Sequence, residues 1–393
     1  MKTLKLSSIL LSALLLVGCN GDTEKTDTEG QVIDLNQELG LDEGNLQNQQ
    51  PPENGQPQPP VDGQQPPVNT VEEPLDNSES NTEPVSDVSQ SSELDITNAI
   101  LSNRSTNCAD YVKHYISNVQ DIQNETKFDG SLNIEVENGK CKFTANNIPN
   151  HDFNDFAASF ASAVSAQNIS VEMTSIPTLT GQTTQLDLGV DNAILLNGVK
   201  IDILPAACYN VGDEKIGCND ISTPWRFDPM SPLADFGTDS HNAHTQPDGS
   251  YHYHGSPKAL FDTAGQAVSP VIGFAADGFP IYGTYIEENG QIRAVKPSYK
   301  LKDGSRVEIS GANPGGTYDG TYRDDYEFVN GLGDLDECNG MSVDGNYGYY
   351  VTDGFPYVMA CYKGTIDDSF KKQGGDTGGQ QPQNGQQPPE QRQ

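Results

Sequence analysis

The sequence predicts a mainly β (or α+β) domain with long loops, few short helices and an internal hairpin repeat, flanked on both sides by disordered segments. Three observations carry that expectation. Every aromatic residue lies between Tyr111 and Phe370. Within that stretch, short apolar runs are punctuated by Gly, Pro, Asn and Asp, the signature of many strands joined by turns. Two strings, beginning at Asp239 and Asp336, echo one another. The flanking segments lack the apolar surface needed to offset the entropy of ordering a backbone.

Taken in order, residues 1–18 read as a signal peptide: Lys2 and Lys5 precede an apolar stretch from Ile9 to Val17, too short for a permanent membrane span. It ends in Leu16-Val17-Gly18-Cys19, which resembles a bacterial lipobox. That resemblance implies cleavage before Cys19 and lipidation of its thiol, hence a membrane partner reached through an acyl anchor. By analogy with bacterial lipoprotein sorting, Asn20 after the cysteine implies the outer membrane, facing the periplasm or the cell surface. Residues 19–92 then form a tether. They hold no Phe, Tyr or Trp, and their Gln/Pro runs around Pro51-Pro52 and Pro66-Pro67 favour extended polyproline II. About 70 such residues span roughly 45 Å root-mean-square as a flexible coil. The tail, residues 373–393, repeats this composition.

With 56 acidic against 22 basic side chains the formal charge is -34, which excludes a nucleic-acid partner, since polyanion binding needs clustered Lys and Arg. Residues 93–372 remain for the folded domain, long enough to bury a sizeable core. Strands are expected at Ser131 to Val136, Lys142 to Ala145, Ile169 to Met173, Ala193 to Leu204, Ile281 to Ile286 and Gly348 to Thr352. Asn197-Gly198 between apolar runs signals a hairpin. Apolar residues at three- and four-residue steps predict helices over Ala109 to Val119 and over Phe153 to Val164, the latter through Phe153, Phe156, Phe160 and Val164.

Apart from Cys19 there are six cysteines, an even number that suits three disulfides in an exported chain. Of the connectivities they allow, nearest-neighbour pairing is expected: Cys108 with Cys141, Cys208 with Cys218, Cys338 with Cys361. A thiolate metal site is the rival, but no two cysteines are spaced C-x-x-C.

Candidate chemistry concentrates in one segment. His241, His244, His252 and His254 fall within fourteen residues. On a strand, His252 and His254 point to one face while Tyr251 and Tyr253 point to the other. Pro247-Asp248-Gly249 suits a three-residue hairpin loop with Gly249 left-handed, so that His244 lies opposite His252 on the same face. A two-residue loop would instead turn His244 to the tyrosine face. Three neutral imidazoles suit a transition metal such as Zn or Cu, with His241, Asp239 or the distant His151 able to complete the set. The alternative is histidines hydrogen-bonded to backbone and tyrosines with no metal.

The second string lacks the histidines. Asp239 pairs with Asp336, Asn242 with Asn339, Asp248-Gly249 with Asp344-Gly345 and Tyr251 with Tyr347, with one deletion. His244, His252 and His254 become Met341, Gly348 and Tyr350, so the hairpin does not require imidazoles as scaffold. Downstream, Asp277-Gly-Phe-Pro recurs as Asp353-Gly-Phe-Pro, which extends the repeat into a second turn.

Tyr251-His-Tyr-His254, Gly273-Phe-Ala-Ala-Asp-Gly-Phe-Pro-Ile-Tyr-Gly283 and Leu335-Asp-Glu-Cys-Asn-Gly340 together resemble the YHYH domain family, as do Asn147-Ile-Pro-Asn-His151 and Leu196-Asn-Gly-Val199. The resemblance covers about residues 103 to 365 and implies an exported bacterial protein without fixing an activity. His241 departs from it, standing where the family often carries a cysteine. His151, in a family-like string, becomes a site candidate through the resemblance.

Three functions follow as expectations. The first is a lipoprotein whose domain binds or sequesters a transition metal. The second makes that metal catalytic, as an extracellular hydrolase or a copper redox enzyme, with Asp277 as a possible base. The third is a metal-free adhesion or carbohydrate-binding module, stacking its partner on Tyr347, Tyr349, Tyr350 and Trp225. Small-molecule, glycan and protein partners stay open at this level.

Overall fold

A computed structural model describes residues 93–372. The signal-peptide, lipidation, tether and tail readings lie outside the described residues. Alternating apolar and polar side chains turn much of the span into strand. In chain order these are β1 (Leu94–Asp95), β2 (Lys113–Asp121), β3 (Thr126–Glu137), β4 (Lys140–Ala145), β5 (Ile169–Thr174), β6 (Thr184–Gln185), β7 (Ala193–Leu195), β8 (Lys200–Ile201), β9 (Ala243–Thr245) and β10 (Tyr251–Tyr253). There follow β11 (Val271–Ala275), β12 (Pro280–Tyr282), β13 (Tyr285–Glu288), β14 (Gln291–Ala294), β15 (Tyr299–Leu301), β16 (Tyr326–Phe328), β17 (Gly340–Val343), β18 (Asn346–Tyr350) and β19 (Cys361–Tyr362). Helix among the described residues is confined to short 3-10 turns such as Cys108–Tyr111, so the fold is mainly β, as the sequence predicts.

Strands β1 to β5 form one sheet in sequential order. A second, eight-stranded sheet runs β17-β18-β12-β11-β7-β8-β10-β9, and that order contains an internal two-fold. The β7–β8 and β11–β12 hairpins lie side by side at its centre. Strand β10 adds parallel to β8, and β18 adds parallel to β12. Strands β9 and β17 then form the two edges. A hairpin, a long excursion and a second hairpin are therefore used twice along the chain. Phe143 of the five-stranded sheet and Tyr111 pack on Phe274 at the centre, with ring centroids 6.1 and 5.6 Å apart. Each such ring buried contributes about 1.5–3 kcal/mol relative to exposure.

Turn chemistry sets the register. The β7–β8 turn closes through Gly198 N–H to Leu195 O (2.9 Å) with Gly198 at φ 82°, the left-handed conformation glycine adopts without a steric cost. The β17–β18 turn is tighter: Asp344 and Gly345 both have positive φ, and Val343 pairs directly with Asn346. This two-residue loop, against three residues in β9–β10, accounts for the deletion between the repeated strings.

Both expected helices are corrected. Residues over Ala109 to Val119 form β2, which pairs with β3 along its whole length from Lys113 to Asp121. Only Cys108–Tyr111 makes a 3-10 turn there. The apolar spacing is shared by the two periods, and sheet pairing decided. Phe153 to Val164 is irregular. Its backbone bonds go to several distant partners, Phe153 N–H to Gln120 O (3.0 Å), Ser159 N–H to Gly237 O (3.1 Å) and Ser162 N–H to Thr245 Oγ1 (3.4 Å), and Phe156 is left 87% exposed. The Ile281 to Ile286 strand is broken at Gly283-Thr284 between β12 and β13. The Asp-Gly-Phe-Pro echo is also corrected. Asp277-Gly278 forms the β11–β12 turn with Gly278 at φ 85° and a trans proline, whereas Phe355-Pro356 is cis and Gly354 is not left-handed. The repeat that matters structurally places Asp277-Gly278 opposite Asn197-Gly198.

All three nearest-neighbour disulfides are present, Cys108–Cys141, Cys208–Cys218 and Cys338–Cys361, with Cα separations of 6.1, 5.7 and 4.7 Å. Cys208–Cys218 lies in the first excursion. Cys338 occupies in the second repeat the position that His241 takes in the first.

Candidate metal centre

The hairpin that carries the histidines is positioned by one carboxylate. Asp239 accepts hydrogen bonds from His241 N–H (3.0 Å), Ala243 N–H (3.2 Å), Tyr251 Oη–H (2.8 Å) and Asn154 N–H (3.2 Å). The second repeat builds the same clasp: Asp336 accepts from Cys338 N–H (2.9 Å), Gly340 N–H (2.9 Å) and Tyr347 Oη–H (3.1 Å). Asn242 and Asn339, both at positive φ, accept through their backbone carbonyls from His254 N–H and Tyr350 N–H, each at 3.0 Å. This side-chain capping of a tight turn explains why Asp and Asn persist in both strings while the histidines do not.

Gly249 N–H bonds Gln246 O (2.9 Å) and Gln246 N–H bonds Ser250 O (3.0 Å), the three-residue loop predicted from Pro247-Asp248-Gly249. His252 therefore pairs with His244, and Tyr251 with Thr245. One face of the ribbon carries His244, His252 and His254. Their Nε2 atoms converge, His252 to His254 at 2.9 Å and His254 to His244 at 3.0 Å. These three form a group able to hold a metal ion.

The other ring nitrogens define the protonation state. His244 Nδ1 lies 2.9 Å from Phe236 O, His252 Nδ1 3.2 Å from Ser250 O, and His254 Nδ1 3.2 Å from Ile203 O. A carbonyl only accepts, so each Nδ1 bears the hydrogen and each Nε2 presents a lone pair. Burial pushes the His252 and His254 imidazoles well below their usual value, with the neighbouring histidines adding to it, and lowers His244 as well. Three neutral, unprotonated nitrogens thus face one another in a nearly dry site, an arrangement that repels unless a Lewis acid sits among them. At metal–nitrogen bonds of about 2.0–2.1 Å, ligand nitrogens lie roughly 2.9 Å apart at right angles and about 3.4 Å apart in a tetrahedron. The two spacings that His254 makes fit neighbouring positions around one ion, and all three nitrogens lie within 4.8 Å of one another. Carbonyl-anchored imidazoles are the usual outer support of such ligands.

His151 and His241 do not join this group. They stack on each other, centroids 3.8 Å apart, on the tyrosine side of the ribbon. His151 donates from Nδ1 to Asp152 O (2.7 Å) and accepts at Nε2 from Tyr253 Oη–H (2.6 Å), and burial followed by His241 holds its pKa down to about 3. Tyr253 alternates with His252 and His254 along the strand, so a residue that bonds its hydroxyl is on the wrong side to reach the triad. Asp277 belongs to the other half of the sheet, where Oδ2 accepts from Tyr349 Oη–H (2.6 Å) and Gly364 N–H (2.9 Å). It is a turn and core anchor rather than a base beside the triad. Tyr349 and Tyr350 are almost fully buried, so neither offers a free face for stacking, while Tyr347, 8% exposed, reaches a surface groove only at its margin.

Sequence reasoning missed the neighbours of the triad. Lys200 is the parallel partner of His252, and Asp202 follows two residues later on the same face. Lys200 Nζ reaches Asp191 (3.1 Å) and Gln246 Oε1 (3.2 Å), while Asp202 Oδ2 accepts from Gln246 Nε2 (2.5 Å) and Lys372 Nζ (2.6 Å). The signal was available: Lys200 and Asp202 are charged side chains alternating inside the apolar run from Ala193 to Leu204, and buried charges demand partners.

Comparison with known proteins adds one match: the sequence model of a family described as YHYH protein covers residues 170–364. No curated protein matches the chain, and no solved structure does.

Proposed function

Since this chain is a member of the YHYH family through residues 170–364, we propose that the tetrapeptide giving the family its name, with His244 across the hairpin, binds one transition-metal ion, Zn or Cu, and that the protein acts in metal binding or sequestration. The observation that carries this reading is the common direction of three Nε2 lone pairs, enforced by three Nδ1–H···O=C bonds. His244, His252 and His254 would hold the ion, which when bound would supply positive charge to a buried site. His252 and His254 are almost fully buried, which favours retention over rapid exchange.

Elemental analysis and calorimetric titration of the purified protein with Zn and Cu test this directly. One ion per chain is expected, with binding lost in the His244→Ala/His252→Ala double variant. Failure to bind either metal overturns it.

A second reading is favoured by the ligand count. Three protein ligands leave a coordination position for water, the arrangement of catalytic rather than closed structural sites, and so support a metal-dependent hydrolase or copper enzyme. An exchangeable water on the bound ion, detected by displacement with azide, supports catalysis; a shell that azide cannot enter supports sequestration.

The lipoprotein reading of Leu16 to Cys19 is also a proposal, supported by three disulfides that suit an oxidising compartment. Metabolic labelling with a fatty acid, lost on Cys19→Ser, tests the anchor. Fractionation of membranes tests its placement in the outer membrane.

A further inference from the structure

The two halves of the eight-stranded sheet differ in what covers their edge hairpins. In the first half the chain covers its own. Residues 153–165 run along the tyrosine side of β9–β10. Ser162 N–H bonds Thr245 Oγ1 (3.4 Å), Thr245 Oγ1 donates to Ser162 O (2.8 Å), and Ser162 Oγ donates to Gln246 O (2.6 Å). Asn154 N–H reaches Asp239, and Phe160 packs against Tyr251 at 6.1 Å. At the turn, a Cβ on Gly249 would lie 2.4 Å from Ser165 Oγ and 2.8 Å from Ala163 O, so the segment is seated against the backbone.

The second half keeps the receiving groups without the segment. Ser342 replaces Thr245, Tyr347 replaces Tyr251, and Asp336 replaces Asp239. Ser342 is exposed, and a Cβ on Gly345 would have nothing within 4 Å. A groove of about 640 Å³ runs here between the hairpin and residues 179–183, lined by Leu179, Asp336, Met341, Ser342 and Tyr347. Phe279 packs edge-on to Tyr347 at 5.1 Å, taking the part that Phe153 plays against Tyr251 at 5.3 Å. Among the described residues, the rings packed on Tyr347 are those of Phe279 and Tyr349, and none takes the part of Phe160. Leu179, 55% exposed, forms an apolar far wall.

We propose that this groove binds an extended segment of a partner polypeptide, one aromatic side chain entering beside Tyr347 and small residues passing over Gly345. The Ser342 hydroxyl would meet the partner's backbone, as Thr245 meets Ser162, whereas the Asp336 carboxylate is already paired with Lys363 Nζ (3.2 Å) and takes no part. Edge strands that keep such groups exposed are ready sites for strand or extended-chain addition. The proposal is independent of metal binding.

The test uses the full chain and, as probe, a fluorescent synthetic peptide with the sequence of residues 153–165, followed by polarisation. Saturable binding is expected, weakened at least about tenfold by Phe160→Ala in the peptide and by Ser342→Arg or Leu179→Glu in the protein, both exposed positions that leave the fold intact. A photo-crosslinker at the Phe160 position should map to Met341–Val343. Absence of saturation up to about 1 mM peptide overturns the proposal. So does crosslinking to Thr245–Gln246, which would mean exchange with the chain's own segment. Self-association of the chain that Ser342→Arg abolishes would assign the groove to a second copy and equally overturn it.

Discussion

Replacing His254 by Asn separates the metal site from the fold that carries it. His254 Nε2 contacts both other ligands, at 2.9 and 3.0 Å, while its Nδ1–H bonds Ile203 O at 3.2 Å. An asparagine amide can supply a donor near the Nδ1 position but nothing near Nε2, so Ile203 O keeps a partner and the ligand is lost. Unliganded stability should therefore stay within about 1 kcal/mol of wild type, because one net hydrogen bond is conserved and a lone-pair repulsion is removed. A metal at about one hundred times its Kd stabilises the folded state by about 2.7 kcal/mol. Weakening the site about a hundredfold reduces that gain to roughly 0.4 kcal/mol at the same free metal. For a domain of this size about 1 kcal/mol corresponds to roughly 2–4 °C, so calorimetry with and without Zn should show a Tm rise of about 5–10 °C in wild type and about 1 °C in His254→Asn. His151→Asn, altering an imidazole on the opposite face, should keep the full metal-dependent rise. An equal rise in wild type and His254→Asn would refute the assignment of the triad, as would no rise in wild type.

Three further outcomes are expected. Removing a disulfide as a Ser pair should cost about 2.5–3 kcal/mol for Cys208–Cys218 and about 3.5–4 kcal/mol for Cys108–Cys141, whose sequence separations are 10 and 33, measured by urea unfolding. Asp239→Ala and Asp336→Ala each strand several buried donors and should each cost about 3 kcal/mol or more, but only Asp239→Ala should also weaken Zn affinity in titration calorimetry. Because burial holds His151 at about 3, below the ordinary 6.5, the folded state binds fewer protons than the unfolded chain between those values. Stability should then fall as pH is lowered from about 6.5 toward 3, by up to about 1.4 kcal/mol per unit from this residue, and His151→Gln should flatten the profile measured by urea titration at each pH.

Much of the candidate site was legible because it is local. The period of two that puts His252 and His254 on one face, and the loop residues that set His244 opposite, act within fifteen residues of chain. Turn geometry of that kind is dictated by Pro, Asp and Gly where they stand. The pairing of cysteines was legible for a similar reason: short spans are the cheapest to close. Expectations failed where partners came from afar. Phe153 to Val164 has a helical spacing, yet its polar backbone is satisfied from afar, by residues 120–123, by Gly237 and by Thr245 of the β9–β10 hairpin. The Asp-Gly-Phe-Pro echo compared two turns with different geometry, and the true equivalence, between the β7–β8 and β11–β12 hairpins, shares too few residues to be read from the string.

Sequence by itself determined the strand-rich class, the hairpin register and the three-histidine face, all properties of neighbours along the chain. Only the tertiary structure decided that Ile203 O and Phe236 O would lock two of the ring tautomers, that His151 would serve Tyr253 instead of the triad, and that Lys200 and Asp202 would flank it. It also decided which edge hairpin is covered and which is open. Each of these depends on groups brought together by sheet order across tens of residues, and hydrogen-bond partners at that range are chosen by packing, not by local propensity.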